Sequence, residues 1–313
     1  QNSLIGQQNM FTAVFDPSAS GSASRLYAIY IGGTHFDEAF GVAAAPDGTV
    51  WIAGGTFSPD IWIQGNAYQG HYGGGGGDGY IAHINPNLGA NSLVYASFFG
   101  GNGIDEITSL VLDHSGNLVL SGYTLSENFP VSSNAFQTKY GGDTDAFVSV
   151  LNTAKKQLVY STYFGGTEPD ASMDVKEDAN GVLYLTGYTE SAGLPSTSGA
   201  LQPEYDGSVD AFALKLDPSK DGAAGIDYFT YLGSEGTQVG YGVDFDSSGD
   251  MYVTGYSSST ILAHYGTARP NNIGVWDAFV IGFAVGSPTP AIQSGFGHSE
   301  HHRHLPFRVS PRR

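Results

Sequence analysis

Two pairs of adjacent acids recur at a fixed interval in this chain. Asp37-Glu38 and Asp105-Glu106 lie 68 residues apart, and Asp170 follows 65 residues later. Carboxylates converging from neighbouring segments could hold Ca²⁺, which takes about six to eight oxygen ligands. Two of them flanking a glycosidic bond could serve as the acid and base of its hydrolysis. The architectural alternative is that they accept hydrogen bonds from backbone amides in turns, the first expectation for a residue that recurs once per unit. The same reading applies to Asp78, Asp145, Asp210 and Asp277, each placed just before an aromatic residue. The segment Asp113-His114-Ser115-Gly116-Asn117 opens like a calcium loop but lacks the later ligands, so it reads as a turn.

Other chemistry-bearing residues are fewer. His35, His71, His83 and His114 fall at positions that hold unrelated residues elsewhere, and none has a zinc-binding spacing or a nucleophile elbow beside it. They are expected to be surface residues. The stretch "IWIQGNAYQGHYGGGGGDGY" sets Trp62, Tyr68 and Tyr72 beside five consecutive glycines. Exposed rings next to polar groups suit sugar or protein contact. The alternative is that Trp62 fills core space and Tyr68 packs as Phe136 does, with the glycines forming a flexible tip. A tail, "HSEHHRH", carries His298, His301, His302 and His304, which could bind a transition metal. It follows a Pro/Ser/Gly-rich exit and is read as a linker or disordered extension.

Composition narrows the options. Residues 1–296 carry 8 Lys and Arg against 29 Asp and Glu, whereas residues 297–313 carry 4 Arg against one Glu. So acidic a body repels phosphate backbones and anionic lipid, which argues against nucleic-acid binding. There is no cysteine, so disulfides, thiolate nucleophiles and Cys-zinc sites are excluded. No apolar run is long enough for a membrane-spanning helix, and no insertion is expected. The chain opens at Gln1 without a leader, as a secreted protein does after its signal peptide is removed. No cofactor is expected, Ca²⁺ being the one ion the acids would suit.

These residues sit in an internal repeat. "YIGG" ends at Gly33, "FFGG" at Gly101, "YFGG" at Gly166 and "YLGS" at Ser234. Asp47-Gly48, Ser115-Gly116, Asn180-Gly181 and Ser248-Gly249 keep the same steps, as do "AGGT", "SGYT", "TGYT" and "TGYS". Each unit of 65–68 residues reads as four short strands. In the second unit "ITSLVLD" is followed by a two-residue Ser-Gly turn, where glycine tolerates positive φ. "NLVLSGYT" comes next, then a roughly twenty-residue excursion, then "DAFVSVLN" and "LVYSTYFGG". Phe147 and Leu151, Phe212 and Leu216, and Phe279 and Phe283 mark one buried face at period two. Four-stranded antiparallel units without helices predict an all-β fold, a β-propeller. A β-helix fits the hairpins and the unit length less well.

The run "GYT…FP…AFQTKYGGDTDAFVSVLN…LVYSTYFGG" resembles the SBBP-type bacterial β-propeller repeat over roughly residues 9–285. That resemblance implies a propeller in a secreted or cell-surface protein of bacterial type, and no particular reaction. Two units depart from the pattern: the first has Ile61-Trp62 where others have Phe-Pro or Leu-Pro, and the fourth lacks the "AFQ" element.

The expected organisation is a propeller over residues 1–285 and a tail over 286–313. A partial unit covers 1–33, and repeats run from about 26–92, 93–157, 158–225 and 226–285. The chain opens with "MFTAVFDP", a "DAF" strand whose earlier part is absent, with Asn9 in place of Asp. Three arrangements follow. Leu26 to Ile31 pairs with Ala278 to Phe283, giving four closed blades and a surplus strand around Phe11. A fifth blade is incomplete. Or the open edges, at Phe11, Val14, Phe279 and Phe283, pair head to tail between chains. The expected function is a non-enzymatic extracellular scaffold, adhesive or self-assembling module that contacts a glycan, a surface protein or its own copies. The competing expectation is a carbohydrate-active hydrolase or lyase, or a lectin. It would use Asp37, Glu38, Asp105 and Glu106 with Trp62 and Tyr72.

Overall fold

The computed structural model describes residues 3–259 and 275–285. It is built almost wholly of antiparallel strands. Three sheets have four strands each, laid side by side in chain order: β3 (Asp37–Ala44) to β6 (Leu93–Phe99), β7 (Asp105–Leu112) to β10 (Gln157–Phe164), and β11 (Asp170–Glu177) to β14 (Ile226–Leu232). Between these lie β4 (Val50–Thr56), β5 (Asp78–Ile84), β8 (Leu118–Thr124), β9 (Asp145–Asn152), β12 (Leu183–Thr189) and β13 (Asp210–Leu216). A three-stranded sheet joins β15 (Gln238–Phe245), β16 (Met251–Ser257) and β17 (Asp277–Phe283). At the other end β1 (Met10–Phe15) pairs only with β2 (Arg25–Ile31).

The first hairpin of each sheet differs from the two-residue turn expected. Asp113 pairs with Asn117 and the Gly116 amide donates to the Asp113 carbonyl at 3.0 Å, so three residues form the loop. Gly116 adopts φ 78°, and Gly48, Gly181 and Gly249 adopt 83°, 83° and 81° at the same place. This is the three-residue hairpin with glycine in the left-handed position. The Asp113 carboxylate accepts the amides of Ser115 (2.8 Å) and Asn117 (2.7 Å), which makes it a turn clasp and not a calcium loop.

The single buried face expected of each "DAF" strand is not what the complete sheets show: β5, β9 and β13 are buried on both faces, because each sheet packs between two others. Phe147 shares a core with Trp51, Ile81 and Phe99 of the preceding sheet. Phe212 does so with Val148 and Phe164, and Phe279 with Ala213 and Leu232. The inner strands β3, β7, β11 and β15 follow one another, and each is bulged once, at Phe40, Thr108, Met173 and Tyr241. Asp174 on β11 ties three of them together, accepting from the Ser109 hydroxyl (2.8 Å) and the Val243 amide (3.1 Å).

The sheets do not close within the described residues. β2 has β1 as its partner and β17 has β16, so the pairing of Leu26–Ile31 with 278–283 is not formed.

Candidate functional site

The recurring acids gather where one sheet hands over to the next. The last strand of a sheet ends in a Gly-Gly or Gly-Ser pair, and the next sheet's inner strand opens with an acid or amide. Asp37 accepts the Gly33 amide at 2.8 Å and the Ser58 hydroxyl at 3.1 Å, with Thr56 on its other oxygen. Asp105 repeats this with Gly101 (2.7 Å), Ser126 (2.8 Å) and Thr124. Asp170 repeats it with Gly166 (2.7 Å) and Ser191 (2.8 Å). All three side chains are buried. In the fourth instance Gln238 stands in for the acid and accepts the Ser234 amide at 3.1 Å. Asp37 and Asp105 are therefore clasps of the fold. Their oxygens are taken by internal donors, and no cluster of three or more metal-ligating side chains occurs among the described residues.

A second set of acids faces the same junctions. Asp78, Asp145 and Asp210 each accept a backbone amide, from Gly73 (2.5 Å), Gly141 (2.8 Å) and Asp206 (3.0 Å). Each also accepts the side-chain amide of Gln69, Gln137 or Gln202. Those glutamines turn their carbonyl ends to the amides of Gly100, Gly165 and Gly233. Sequence reasoning gave the glutamines no role. Their signal was their own 68- and 65-residue spacing within the excursion. Burial pushes Asp78 and Asp145 up to about 7 and Asp210 up to about 6. Asp170 is likewise raised by burial to about 6, and Asp105 is raised by burial.

Glu38 and Glu106 point elsewhere. Each is half-buried on its inner strand, and the Gln8 side-chain amide donates to Glu38 at 2.6 Å. Burial raises the Glu106 carboxyl, the Tyr123 hydroxyl bonded to it lowers it, and Glu38 raises it further. Glu106 uses space left by Gly55, which replaces the tyrosine found at 123, 188 and 256; a Cβ at Gly55 would lie 3.2 Å from Glu106 Cγ. The pair exists only between the first two complete sheets, since the later equivalents are Ala171 and Val239. Two glutamates and a phenol are a set that acid–base chemistry could use. Here both carboxylates already hold internal donors.

The aromatic excursion divides differently from either expectation. Ile61, not Trp62, takes the buried place of Phe129 and Leu194. Trp62 is 49% exposed, and its backbone carbonyl accepts the Tyr80 hydroxyl at 2.6 Å. Tyr72 packs edge-on against Phe98 and Tyr68 tilts on Phe99, as Phe136 does on Phe164. The glycine run is not a free tip. A Cβ at Gly75 would sit 2.3 Å from the Asn102 carbonyl, and one at Gly73 would sit 1.9 Å from that of Gly101. The run is pressed against the next sheet's entry loop, and only glycine permits that approach.

The edge residues also sort into two kinds. Phe11 lies exposed and Val14 partly so. Phe279 is buried, and Phe283 packs near Tyr228, because that face of β17 looks onto the preceding sheet. The open face of β17 is carried by Val280 instead. His83 is not a plain surface residue: it stacks on Trp51 with centroids 3.9 Å apart and bonds Thr49 at 2.7 Å. His114 pairs with Glu177 at 3.4 Å. His298, His301, His302 and His304 lie outside the described residues.

Comparison with known proteins gives a family-model match over one repeat and distant likenesses in fold. No curated protein matches the chain. A protein of unknown function from Bacteroides caccae superposes with TM-score 0.35 at 13% identity, covering 73% of this chain and 59% of that one. A luciferin-regenerating enzyme gives TM-score 0.31 at 10% identity, covering 68% of this chain and 52% of its own. A protein provisionally assigned as a gluconolactonase gives 0.29 at 15%, covering 84% and 62%. The chain thus spans roughly half to three-fifths of the length of these structures. The family model of the SBBP beta-propeller repeat matches residues 227–263, from β14 through β16.

Proposed function

We propose that the chain is a non-enzymatic extracellular module of the β-propeller type, and that it works by joining head to tail with copies of itself. The extracellular placement rests on the resemblance to SBBP repeats. The assembly rests on one observation: the two ends of the sheet array expose the very positions that are buried wherever two sheets meet. Phe11 is equivalent to Phe147, Phe212 and Phe279, yet it is 69% exposed while they are at most 4%. Val280 is equivalent to Ile81, Val148 and Ala213, yet it is 73% exposed while they are at most 1%. Inside the chain, the phenylalanine of each sheet shares a core with the Ile81-type residue of the sheet before it. By that rule Phe11 of one copy belongs against Val280 of another.

The first sheet also has space to fill. Beside β1, where complete sheets place their two inner strands, a groove of about 510 Å³ is lined by Met10, Phe11, Phe15, Phe40 and Val42. On this reading the three four-stranded sheets are complete blades, the two-stranded sheet is an outer half and the three-stranded sheet an inner three-quarters. The two contact faces are different surfaces, so the association is heterologous and yields rings or filaments. Sedimentation velocity over a range of concentrations tests the reading. Oligomers that grow with concentration are expected, and a strictly monomeric species at high concentration overturns it.

A further inference from the structure

Each of the four sheet junctions sets two polar side chains, one from either sheet, near the glycine that follows the outer strand. Asn9 and Asp37 both crowd Gly32, and Asp145 and Asp170 both crowd Gly165; Asp105 crowds Gly100 with Asp78 as its charged neighbour, and Asp210 crowds Gly233 with Gln238 on the next residue's amide. The two outer junctions combine one amide with one acid. The two inner junctions combine two acids. At the first junction the amide makes the link, with Asn9 Nδ2 donating to Asp37 Oδ2 at 3.4 Å. An ionised carboxylate has no proton with which to do this.

We infer that each inner junction binds one proton, shared between its two aspartates, so that a carboxyl O–H takes the place of the Asn9 amide. Several observations carry this. Asp78, Asp145 and Asp170 are 0% exposed and Asp105 is 1% exposed. Asp78 Oδ1, Asp145 Oδ1 and Asp170 Oδ1 at the inner junctions are buried without a hydrogen-bond partner, as is Asp210 Oδ1 at the last outer one, a state that costs free energy unless it is filled. A Cβ built on Gly165 would lie 2.6 Å from Asp145 Oδ1 and 2.8 Å from Asp170 Oδ2, so both oxygens crowd the same Cα. Two carboxylates sharing a buried site do not both ionise at neutral pH.

The groups that face the pairs supply no compensating cation. Asp78 is surrounded by Gln69, the Gly73 amide, Tyr72 and Asp105. Asp145 is surrounded by Gln137, the Gly141 amide, Tyr140, Tyr163 and Asp170. Asp105 and Asp170 add only the hydroxyl and amide donors already described, with Glu190 acting on Asp170. The four ion pairs among the described residues involve none of these aspartates. Burial and the neighbouring carboxylate hold Asp78 and Asp145 at about 7 in the fold, against 3.8 when free. A raised folded value means stability that is complete below about 4 and is lost as pH rises through about 7.

The test is thermal unfolding of the whole chain between pH 5 and 8.5, compared with Asp78→Asn, Asp145→Asn and the double variant. The wild type is expected to melt several degrees lower at pH 8.5 than at pH 5.5. Each Asn variant should remove about half of that fall, and the double variant should melt above the wild type at pH 8.5. Carboxyl ¹³C shifts of labelled aspartate in the wild type provide a readout that survives a misfolded variant, and two carboxyls titrating near 7 are expected. A wild-type melting temperature that is flat or rising across this range overturns the proposal. So do aspartate carboxyls that all titrate below 5. A rise in melting temperature on adding Ca²⁺ at pH 8.5, abolished by Asp145→Asn, assigns the pair to a cation and overturns it as well.

Discussion

Val42 and Leu110 hold the same place on successive inner strands, yet Val42 is 67% exposed and Leu110 is 5%. Nothing local separates them, since both are aliphatic and both follow a bulge. What differs is the neighbour. Leu110 packs onto the preceding sheet, where a Cβ at Gly41 would lie 2.6 Å from its own Cβ. Val42 looks into the groove beside β1.

The contact between copies can be trapped covalently, because the chain has no cysteine of its own. Phe11→Cys combined with Val280→Cys should form disulfide-linked ladders under mild oxidation, visible on a non-reducing gel. Either single variant should give at most dimers. Ladders that fail to form in the double variant would remove Phe11 and Val280 from the interface.

Replacing Phe11 should leave the fold standing while replacing its equivalent should not. Phe147→Ala or Phe212→Ala removes a buried ring and is expected to cost about 3–5 kcal/mol in chemical unfolding. Phe11→Ala should cost the isolated chain less than about 0.5 kcal/mol, as exposed positions do. It should weaken association by at least about 10-fold, in the range of central interface aromatics.

Glycine at the junctions is required for space and not for backbone angle. Gly165→Ala drives a methyl between Asp145 and Asp170, and it should destabilise by about 2 kcal/mol or more, as overpacking does. Gly116→Ala meets open space and suffers only from φ 78°, for which about 1–2 kcal/mol is expected. Equilibrium denaturation of the two variants should rank them in that order.

Glu106 offers a check on the non-enzymatic reading. Its carboxyl is raised by burial and by Glu38, so Glu106→Gln should hold or modestly raise the melting temperature above pH 7. A polysaccharide screen of the wild type should show no turnover. Turnover abolished by Glu38→Gln or Glu106→Gln would establish the competing hydrolase.

Much of this architecture was legible in advance because it is periodic. The Gly-Gly ends, the turn glycines, the "GYT" motif and the ladder of acids each recur once per unit, and recurrence separates signal from accident. The roles of Asp37 and Asp105 were legible as alternatives only. Choosing between clasp and ligand needed the donors, and Ser58, Ser126 and Ser191 reach the acids from 21 residues away. The three-residue hairpin, the packed glycine run and the exposed Trp62 were misjudged or left open. Each depends on what a neighbouring segment presses against.

By itself the sequence determined the strands, the repeat and its register, because alternating side-chain direction and turn glycines are properties of short segments. Only the tertiary structure decided which faces find a partner. Phe11, Val42 and Val280 are chemically equivalent to core residues and differ only in having no strand packed over them. The pairing of buried carboxylates is likewise a property of the junction, where residues some 25 to 30 positions apart meet near one glycine.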